Sequence, residues 1–266
     1  MSAPALPSPI TSPRVGRALL GVGGVALAVV VWQAAATVTA NPLVLPAPTE
    51  VAVALGELVA DPATRPQVVD TLRRAVVGFA LGAFAGLLVG AAIGSFRPVR
   101  TVLNPYLNFL RMVAPIAWIV PATIWLGVGE PSILFVVVYA ALFPVAINTI
   151  SGIAAVEPDK LRMARAVGSS PAGTFVRILV PNAVPYVMAG ARLALGLSFM
   201  AVIGAEMIIG QSGLGFVIYS ARTFSDTATM FAGILVLGVV GYLFDASFLA
   251  LRRVFLEKYY AGREVR

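Results

Sequence analysis

The chain has 266 residues, of which 59% are hydrophobic and only 12% are charged. Soluble domains carry about 25% charged residues, so this composition is that of an integral membrane protein. The net charge of +7 does not indicate nucleic-acid binding, because the basic residues lie at the ends of apolar runs. Cysteine and histidine are absent, which excludes disulfides, Cys-ligated metals, a Cys nucleophile and a His base or proton relay.

The first segment, residues 1–16, contains a run of small residues and prolines, which predicts a disordered tail. Six apolar runs follow, and a membrane-spanning helix takes about 20 apolar residues. The predicted spans are residues 18–38, 74–96, 112–129, 131–155, 183–210 and 229–251. The first run resembles a secretory signal peptide, but its charge-free interval is long enough to span, so we interpret it as uncleaved. The sequence thus predicts an all-α membrane protein with one domain over residues 17–266.

The distribution of lysine and arginine predicts which connections face the cytoplasm. Basic residues outnumber acidic ones in the N-terminal tail, in residues 97–111, in residues 157–181 and in the C-terminal tail. These four segments alternate correctly along six spans, so we expect all of them, including both termini, to be cytoplasmic. Arg73 and Arg74 do not fit this distribution, and we interpret them as an interfacial anchor at the outer end of the second span.

The second span carries a glycine at every fourth position. These residues are Gly78, Gly82, Gly86, Gly90 and Gly94. Glycine at this spacing forms a smooth ridge on which another helix can pack closely. The neighbouring helix belongs either to the same chain or to a second copy.

The third span is interrupted by Pro115 and Pro121 and carries Trp118 and Trp125. Proline breaks the hydrogen bonding of a helix and needs polar or protein surroundings within a membrane. The pattern fits a pore-lining helix, and it fits equally a kinked packing helix with tryptophan anchors.

Residues 157–181 connect the fourth and fifth spans and combine basic residues with apolar residues at helical spacing. The pattern predicts a short helix, a turn from Gly168 to Pro171, and a second short helix that ends at Pro181. A polar helix–turn–helix between two spans suits docking to a soluble partner.

This segment resembles the cytoplasmic loop of the membrane subunits of binding-protein-dependent ABC importers. That loop carries Glu-Ala-Ala, three residues, Gly, nine residues, Ile, one residue and Leu-Pro. The matching positions here are Ala164, Gly168, Ile178 and Pro181, with Val180 in place of the leucine. Arg162 and Met163 stand where the family has Glu and the first Ala. The resemblance implies that an ATPase couples through Ala164, Arg165, Gly168, Ser169, Ser170, Pro171, Ile178 and Pro181.

The third span is similar to the nitrate, sulfonate, taurine and bicarbonate branch of the same family. The similar positions are Leu110–Arg111, Pro115, Ala117, Pro121 and Gly127–Glu130. A further pattern, Ala205–Glu206 followed by Gly213–Leu214–Gly215, is also similar to family members. The resemblance implies the type I ABC importer permease fold and a small solute such as a sulfonate or nitrate.

Charged residues within spans are rare and mark functional sites by default. Arg192 either holds an anionic substrate, or extends to the membrane surface, or pairs with Asp245. Glu206 either shapes the outer gate, or caps a helix end, or pairs with Arg222. The candidate residues of the translocation pathway are Trp118, Asn148, Arg192, Ser198, Met200 and Glu206.

The chain has no phosphate-binding loop of the Gly-x-x-x-x-Gly-Lys-Ser/Thr type, and each of its two lysines directly follows an acidic residue. It is therefore expected to be a transport subunit and not an enzyme, without a cofactor or metal of its own. The resemblance implies two cytoplasmic ATPase subunits that bind the ATP, a second permease copy in a homodimer, and an external solute-binding protein in a prokaryotic cell membrane.

The main alternative is an ion-coupled secondary transporter. Such proteins often contain inverted repeats and intramembrane acids for ion coupling. The two halves of this chain show no convincing repeat, and only Glu206 and Asp245 are available for coupling. An intramembrane enzyme is disfavoured because no Gly-x-Ser-x-Gly motif and no close pair of intramembrane carboxylates occurs.

Overall fold

The computed structural model describes the backbone of residues 13–261, and the side chains of residue 20 and residues 23–251. Within this range the chain is helical and contains no strand. The helices are α1 (Pro13–Thr39), α2 (Pro48–Ala60), α3 (Thr64–Ser95), α4 (Arg97–Leu110), α5 (Ile119–Leu126), α6 (Glu130–Ala154), α7 (Pro158–Ala166), α8 (Pro171–Thr174), α9 (Val180–Ile209), α10 (Leu214–Thr223) and α11 (Thr227–Ala261). A 3₁₀ turn at Pro115–Trp118 precedes α5, and a π turn at Phe175–Leu179 precedes α9.

Four helical stretches among the described residues are long and apolar enough to cross a membrane. They are Thr64–Ser95, Glu130–Ala154, Pro171–Ile209 and Thr227–Leu251. They correspond to the predicted second, fourth, fifth and sixth spans. The second begins ten residues earlier than expected, the fifth begins twelve residues earlier, and the second, fourth and fifth each end one residue earlier. The described apolar part of α1, Gly23–Thr39, is shorter, so six spans remain a prediction.

The predicted third span, residues 112–129, is helical only from Pro115 to Leu126, which by itself is too short to cross a membrane. A break separates this 3₁₀ turn and α5 from α4, and the two arms are bent by 94°. Ala114, in the break, has an extended backbone with φ −59° and ψ 133°. The ring of a following proline disfavours helical geometry at such a residue, so Pro115 ends the first arm and begins the second.

Two predicted segments lie partly outside the described residues. Of the predicted tail 1–16, residues 1–12 are outside this range, and residues 13–16 belong to the start of α1. The basic C-terminal side chains from Arg252 onward are also outside it.

The glycine ridge of α3 packs against α6 of the same chain. A Cβ atom added at Gly82 would lie 2.5 Å from the carbonyl oxygen of Val138, and one at Gly90 would lie 2.6 Å from that of Ala146. Real Cβ contacts are never this short, so the two helix backbones touch along the ridge. The prediction of close packing is confirmed, and the packing partner lies within this chain.

The other side of α6 packs against α9, again through glycine. A Cβ atom at Gly152 would meet the Cα atom of Ala183 at 2.9 Å, and one at Gly190 would meet the carbonyl oxygen of Pro144 at 2.8 Å. Helix α6 is therefore held between α3 and α9. Its buried residues, including Ile133, Val136 and Val137, form the centre of the core with residues of both neighbours.

The remaining helices lie around this three-helix core. Helix α2 packs against α11 through Val51, Ala54 and Ala232. The indole nitrogen of Trp32 in α1 donates to the carbonyl oxygen of Pro46 at 3.1 Å, and its ring lies 5.9 Å from that of Phe231. These contacts join the N-terminal helix to α11.

We expect Gly90→Ala to destabilise the protein by about 1–3 kcal/mol, the usual cost of inserting a methyl group into a closely packed interior. The thermal unfolding temperature of the purified protein in mild detergent measures this effect. The control is Gly56→Ala, because a Cβ atom at Gly56 meets nothing within 4 Å. That variant should be neutral or slightly more stable. Equal behaviour of the two variants would contradict the close approach of α3 and α6.

Candidate coupling and translocation sites

The segment between α6 and α9 begins with α7, which ends in a Schellman motif. The amide of Gly168 donates to the carbonyl oxygen of Arg165 at 3.0 Å, and that of Ser169 donates to Ala164 at 2.9 Å. Gly168 has φ +74°, a left-handed conformation that glycine adopts without strain. The predicted turn is therefore present, and it fixes the direction in which the chain leaves α7.

Helix α8 begins two residues later with its own cap. The hydroxyl of Ser170 accepts a hydrogen bond from the amide of Gly173 at 3.1 Å, and Pro171 occupies the first helical position. Serine at the cap followed by proline is a favourable helix start. The sequence from Ser169 to Pro171 thus specifies the second half of the turn.

The prediction that the second helix ends at Pro181 is wrong. Residues 171–209 form one continuous helical stretch, in which the π turn joins α8 to α9. The amide of Val180 donates to the carbonyl oxygen of Phe175, five residues back. Proline is tolerated in the first turn of an α-helix, and the change from π to α geometry places Pro181 there. The turn is therefore connected to a spanning helix without an intervening loop.

A cleft of about 350 Å³ lies between α7 and the π turn. Its lining residues include Lys160, Met163, Val167, Arg177 and Ile178. Val167 is 85% exposed, an unusual position for an apolar side chain. The cleft therefore combines apolar surface with two cationic side chains.

The acidic residues of this segment are paired within α7. Glu157 lies 3.3 Å from Lys160, and Asp159 lies 3.4 Å from Arg162. Arg162, which stands at the position of the family's glutamate, is thus part of an exposed local ion pair. Arg165 and Arg177 have no ion pair among the described residues, which leaves the surface of the segment basic.

Among the charged residues of the spans, Arg192 and Asp245 form an ion pair between α9 and α11. The two side chains make two contacts, of 3.1 and 3.4 Å. Both are partly open to the surroundings, at 45% and 43% exposure. Of the interpretations of Arg192, pairing with Asp245 is the one that the geometry shows.

The other pathway candidates do not lie together. Met200 is 72% exposed and lies two helical turns from Arg192 on the same face of α9. Ser198 is fully buried, and its hydroxyl has no hydrogen-bond partner among the described residues. The amide of Asn148 donates to Pro144 at 2.8 Å within α6. Trp118 is half-buried among aromatic rings, 5.5 Å from that of Tyr139.

Glu206 is buried and pairs with Arg74, and not with Arg222 as the sequence allowed. The guanidinium of Arg74 donates to the carboxylate at 2.7 Å, with side-chain exposures of 7% and 0%. The hydroxyl of Thr71 lies 2.8 Å from the same carboxylate, and the amide of Gly215 donates to it at 3.1 Å. The interpretation of Arg74 as an interfacial anchor is therefore wrong.

The same cluster fastens the loop between α9 and α10. Arg74 donates to the backbone oxygen of Ser212 at 2.9 Å and to its hydroxyl at 2.8 Å. The hydroxyl of Ser212 donates in turn to Asp70 at 2.6 Å, and the amide of Leu214 donates to Thr71 at 2.8 Å. The loop from Ser212 to Leu214 is thus hydrogen-bonded to α3.

Sequence reasoning missed this cluster because its two halves are more than a hundred residues apart. Part of the evidence for this cluster was nevertheless visible in the sequence. Arg74 violates the charge bias of the loops, and Glu206 is an acid within a span. Two charges of opposite sign that both lie in unfavourable places at the same end of two spans are natural partners. By contrast, the neighbouring Arg73 forms an exposed pair with Glu130 at 2.7 Å.

The sequence profile of the family described as "Binding-protein-dependent transport system inner membrane component" matches residues 78–255. The chain belongs to this family. The nitrate import permease protein NrtB of Synechocystis sp. is 34% identical over 245 residues, which cover 89% of this chain and 87% of that protein. The taurine transport system permease protein TauC of Escherichia coli is 30% identical over 240 residues, which cover 88% of this chain and 87% of that protein.

The fold of this permease is similar to that of a solved ABC transporter. The MetNI methionine ABC transporter, in an inward-facing crystal form, superimposes with a TM-score of 0.61. The alignment has 21% identity and covers 71% of this chain and 94% of that chain. At this identity the likeness establishes the fold.

The buried pair of the permease gives a prediction. Glu206→Ala leaves the Arg74 charge buried without its partner, and we expect a loss of about 3–5 kcal/mol of unfolding free energy. The double variant Arg74→Met with Glu206→Leu removes both charges and should lose less. Thermal unfolding in detergent measures both.

The matched control is Arg73→Ala, which breaks an ion pair of the same length with side chains 50% and 40% exposed. Exposed pairs contribute less than about 1 kcal/mol, so this variant should remain close to wild type. A Glu206→Ala protein as stable as Arg73→Ala would contradict the burial of the cluster.

Proposed function

We propose that this permease carries a small anion into a prokaryotic cell, and that separate cytoplasmic ATPase subunits drive it through residues 157–181. The observation that carries the proposal is the exposed turn between α7 and α8. It combines a glycine-stabilised change of direction, a basic cleft with exposed apolar side chains, and a direct helical connection to α9.

The surface of this segment fits a docking site for a soluble protein. Val167 and Met163 are exposed apolar residues, and Lys160 and Arg177 line the same cleft. Aromatic or aliphatic anchors within a polar rim are typical of protein interfaces. The coupling residues are those given by the family resemblance: Ala164, Arg165, Gly168, Ser169, Ser170, Pro171, Ile178 and Pro181.

The proposed mechanism uses the continuous helix from Pro171 to Ile209. Closure of two ATPase subunits on ATP would displace α7 and α8 in each of two permease copies. Because no loop separates α8 from α9, the displacement reaches the spanning helix directly. Access to the pathway would then alternate between the two sides of the membrane, and an external binding protein would deliver the solute.

The proposed topology has six spans, with both termini and residues 157–181 in the cytoplasm. The positive charges of the connections support it. The Arg74–Glu206 cluster then lies at the outer end of the core, opposite the coupling segment, since α3 and α9 run antiparallel. A single chain that carries the family's motif from Ala164 to Pro181 supports a homodimer as the functional membrane unit.

The proposed substrate class is a small anion or sulfonate. NrtB is named for nitrate and TauC for taurine, and both are similar to this chain over most of its length. The half-exposed Arg192 contacts Asp245 through Nε and Nη2, which leaves Nη1 as a donor for an oxyanion. We propose that Arg192 and Met200, which share the open face of α9, line the pathway. Trp118, Asn148, Ser198 and Glu206 are buried or half-buried and support its wall.

The function is tested by purifying the tagged permease from its native membrane in mild detergent and identifying the proteins that accompany it. We expect a stoichiometric ATPase, and ATP-dependent uptake of nitrate or a sulfonate after reconstitution into vesicles with a binding protein. Uptake that follows an ion gradient and ignores ATP would overturn the proposal in favour of a secondary transporter.

The coupling role gives a second prediction. Gly168→Asp places a side chain at φ +74° and an acid on the basic surface, so we expect normal membrane insertion but loss of the ATPase subunit and of transport. The matched control is Gly168→Asn, because asparagine has nearly the shape of aspartate, carries no charge and adopts positive φ more readily than most residues. It should lose less of the ATPase subunit than Gly168→Asp, and normal transport by Gly168→Asp would contradict the coupling role.

The pathway role of Arg192 gives a third prediction. Arg192→Ala should lower the uptake rate at least tenfold and leave the amount of assembled complex within about twofold of wild type, since exposed ion pairs contribute little stability. Asp245→Asn, which keeps the cation, should retain more transport. A parallel fall of assembly and uptake would assign Arg192 a structural role only.

A further inference from the structure

The described side chains leave a crevice between the end of α3 and the beginning of the α8–α9 stretch. It consists of two adjoining hollows that share Ala91 and Phe175. We call it the α3–α9 crevice. It extends along α3 from Leu87 to Phe96, a distance of about 14 Å at the rise of an α-helix.

The inner hollow is apolar over almost its whole lining. It has a volume of about 380 Å³ and is bounded by Leu87 and Leu88 on α3 and by Ala183, Val184 and Val187 on α9. Thr149 is its polar residue, and the hydroxyl of Thr149 already donates to the carbonyl oxygen of Val145 at 2.7 Å. This hollow therefore offers nothing to a polar ligand.

The second hollow, at the mouth of the crevice, has a volume of about 510 Å³ and lies where α3 ends. Ser95 and Phe96 bound it on one side, and Pro171 and Ala172 bound it on the other. The hydroxyl oxygen of Ser95 is buried and has no hydrogen-bond partner among the described residues. A rotation of the Ser95 side chain would present this unpaired hydroxyl to a polar group in the mouth of the crevice.

Two arginines follow the residues that line the mouth of the crevice. Arg97 follows directly on Phe96, and it has no ion pair among the described residues. Arg100 lies one turn further and bonds the carbonyl oxygens of Ile93 and Gly94 at the end of α3. No acidic residue occurs in the sequence between Asp70 and Glu130, so these charges are not neutralised by their own helices.

We propose that the α3–α9 crevice binds one acyl chain of an anionic phospholipid, with the phosphate at the Ser95–Arg97 end. The order of the groups supports this occupant: an apolar channel within spanning helices, then the Ser95 hydroxyl, then Arg97 and Arg100 just beyond the end of the span. A phospholipid has the same order from its chain to its phosphate. Leu88 is 55% exposed, so the channel opens sideways towards the bilayer.

The position of this lipid gives it a link to the coupling segment. Phe175 and Leu179 belong to the π turn and line the crevice. An acyl chain in the crevice would therefore pack against the point where α8 becomes α9. A π turn is a weak place in a helix, and apolar packing around it limits bending there.

The test uses the complete complex, reconstituted in nanodiscs of phosphatidylethanolamine and phosphatidylglycerol, returned to detergent and examined by native mass spectrometry. We expect the wild type to retain phosphatidylglycerol and Ala91→Trp, which fills the crevice, to lose most of it. Leu81→Trp is the control, because Leu81 is an exposed residue of α3 outside the crevice. Val184→Trp fills the inner hollow from α9, so a folding defect in one variant does not decide the result.

The phosphate site is tested separately with Arg97→Ala. Retained phosphatidylglycerol should fall about fivefold, the factor that one basic residue contributes near an anionic surface, while phosphatidylethanolamine should change little. Arg111→Ala, at the other end of α4, is the control. Equal retention in wild type and in both crevice-filling variants would overturn the proposal. So would a change of oligomeric state at constant lipid per chain, since a second permease copy would then occupy the crevice.

Discussion

The backbone contact between α3 and α6 is the constraint on which the rest of the permease depends. Lipid tails are as apolar as leucine, so helices in a membrane gain little from burying apolar side chains against each other. Association depends instead on close van der Waals contact, which the glycines of α3 permit over about four turns. Gly152 and Gly190 allow the same approach between α6 and α9. A rigid three-helix core results, and the other helices are placed relative to it.

The two ends of this core differ in how firmly α3 and α9 are joined. At one end, Glu206 and Arg74 are buried together and bind the loop that leads to α10. At the other end, the helices separate around an apolar crevice, and α9 is continuous through the π turn with α8. A buried ion pair contributes little net stability, but it is costly to break halfway, so it holds one arrangement of its surroundings. The proposed movement therefore has a fixed end and an open end.

Local features of the fold could be predicted from the sequence because they depend on neighbouring residues. The glycines at four-residue spacing predicted the packing of α3, and Gly168 predicted the turn after α7. The family motif strengthened the second prediction. Hydropathy also located four spans, since their charge-free runs are long.

Features that depend on distant residues or on the choice between two helix geometries could not be predicted. The partner of Glu206 lies 132 residues away, and only the antiparallel arrangement of α3 and α9 brings Arg74 beside it. Pro115 indicated a break in the third span, but the sequence could not show that the chain turns there by 94°. Pro181 usually indicates a helix end, but the π turn before it changes the hydrogen-bond register, so that the helix continues. Exposure was also beyond the sequence, which grouped the buried Ser198 with the open Met200.

The absence of a loop between α8 and α9 has a mechanical consequence. The stretch from Pro171 to Ile209 has 39 residues, which corresponds to about 58 Å of helix. The buried Arg74–Glu206 pair holds this stretch to α3 near its far end, so the proposed movement would pivot about that end. A tilt of about 5° would displace one end relative to the other by about 5 Å, close to one helical turn. A movement of about one helical turn at the α7–α8 turn would thus correspond to only a small change in the tilt of the spanning helix.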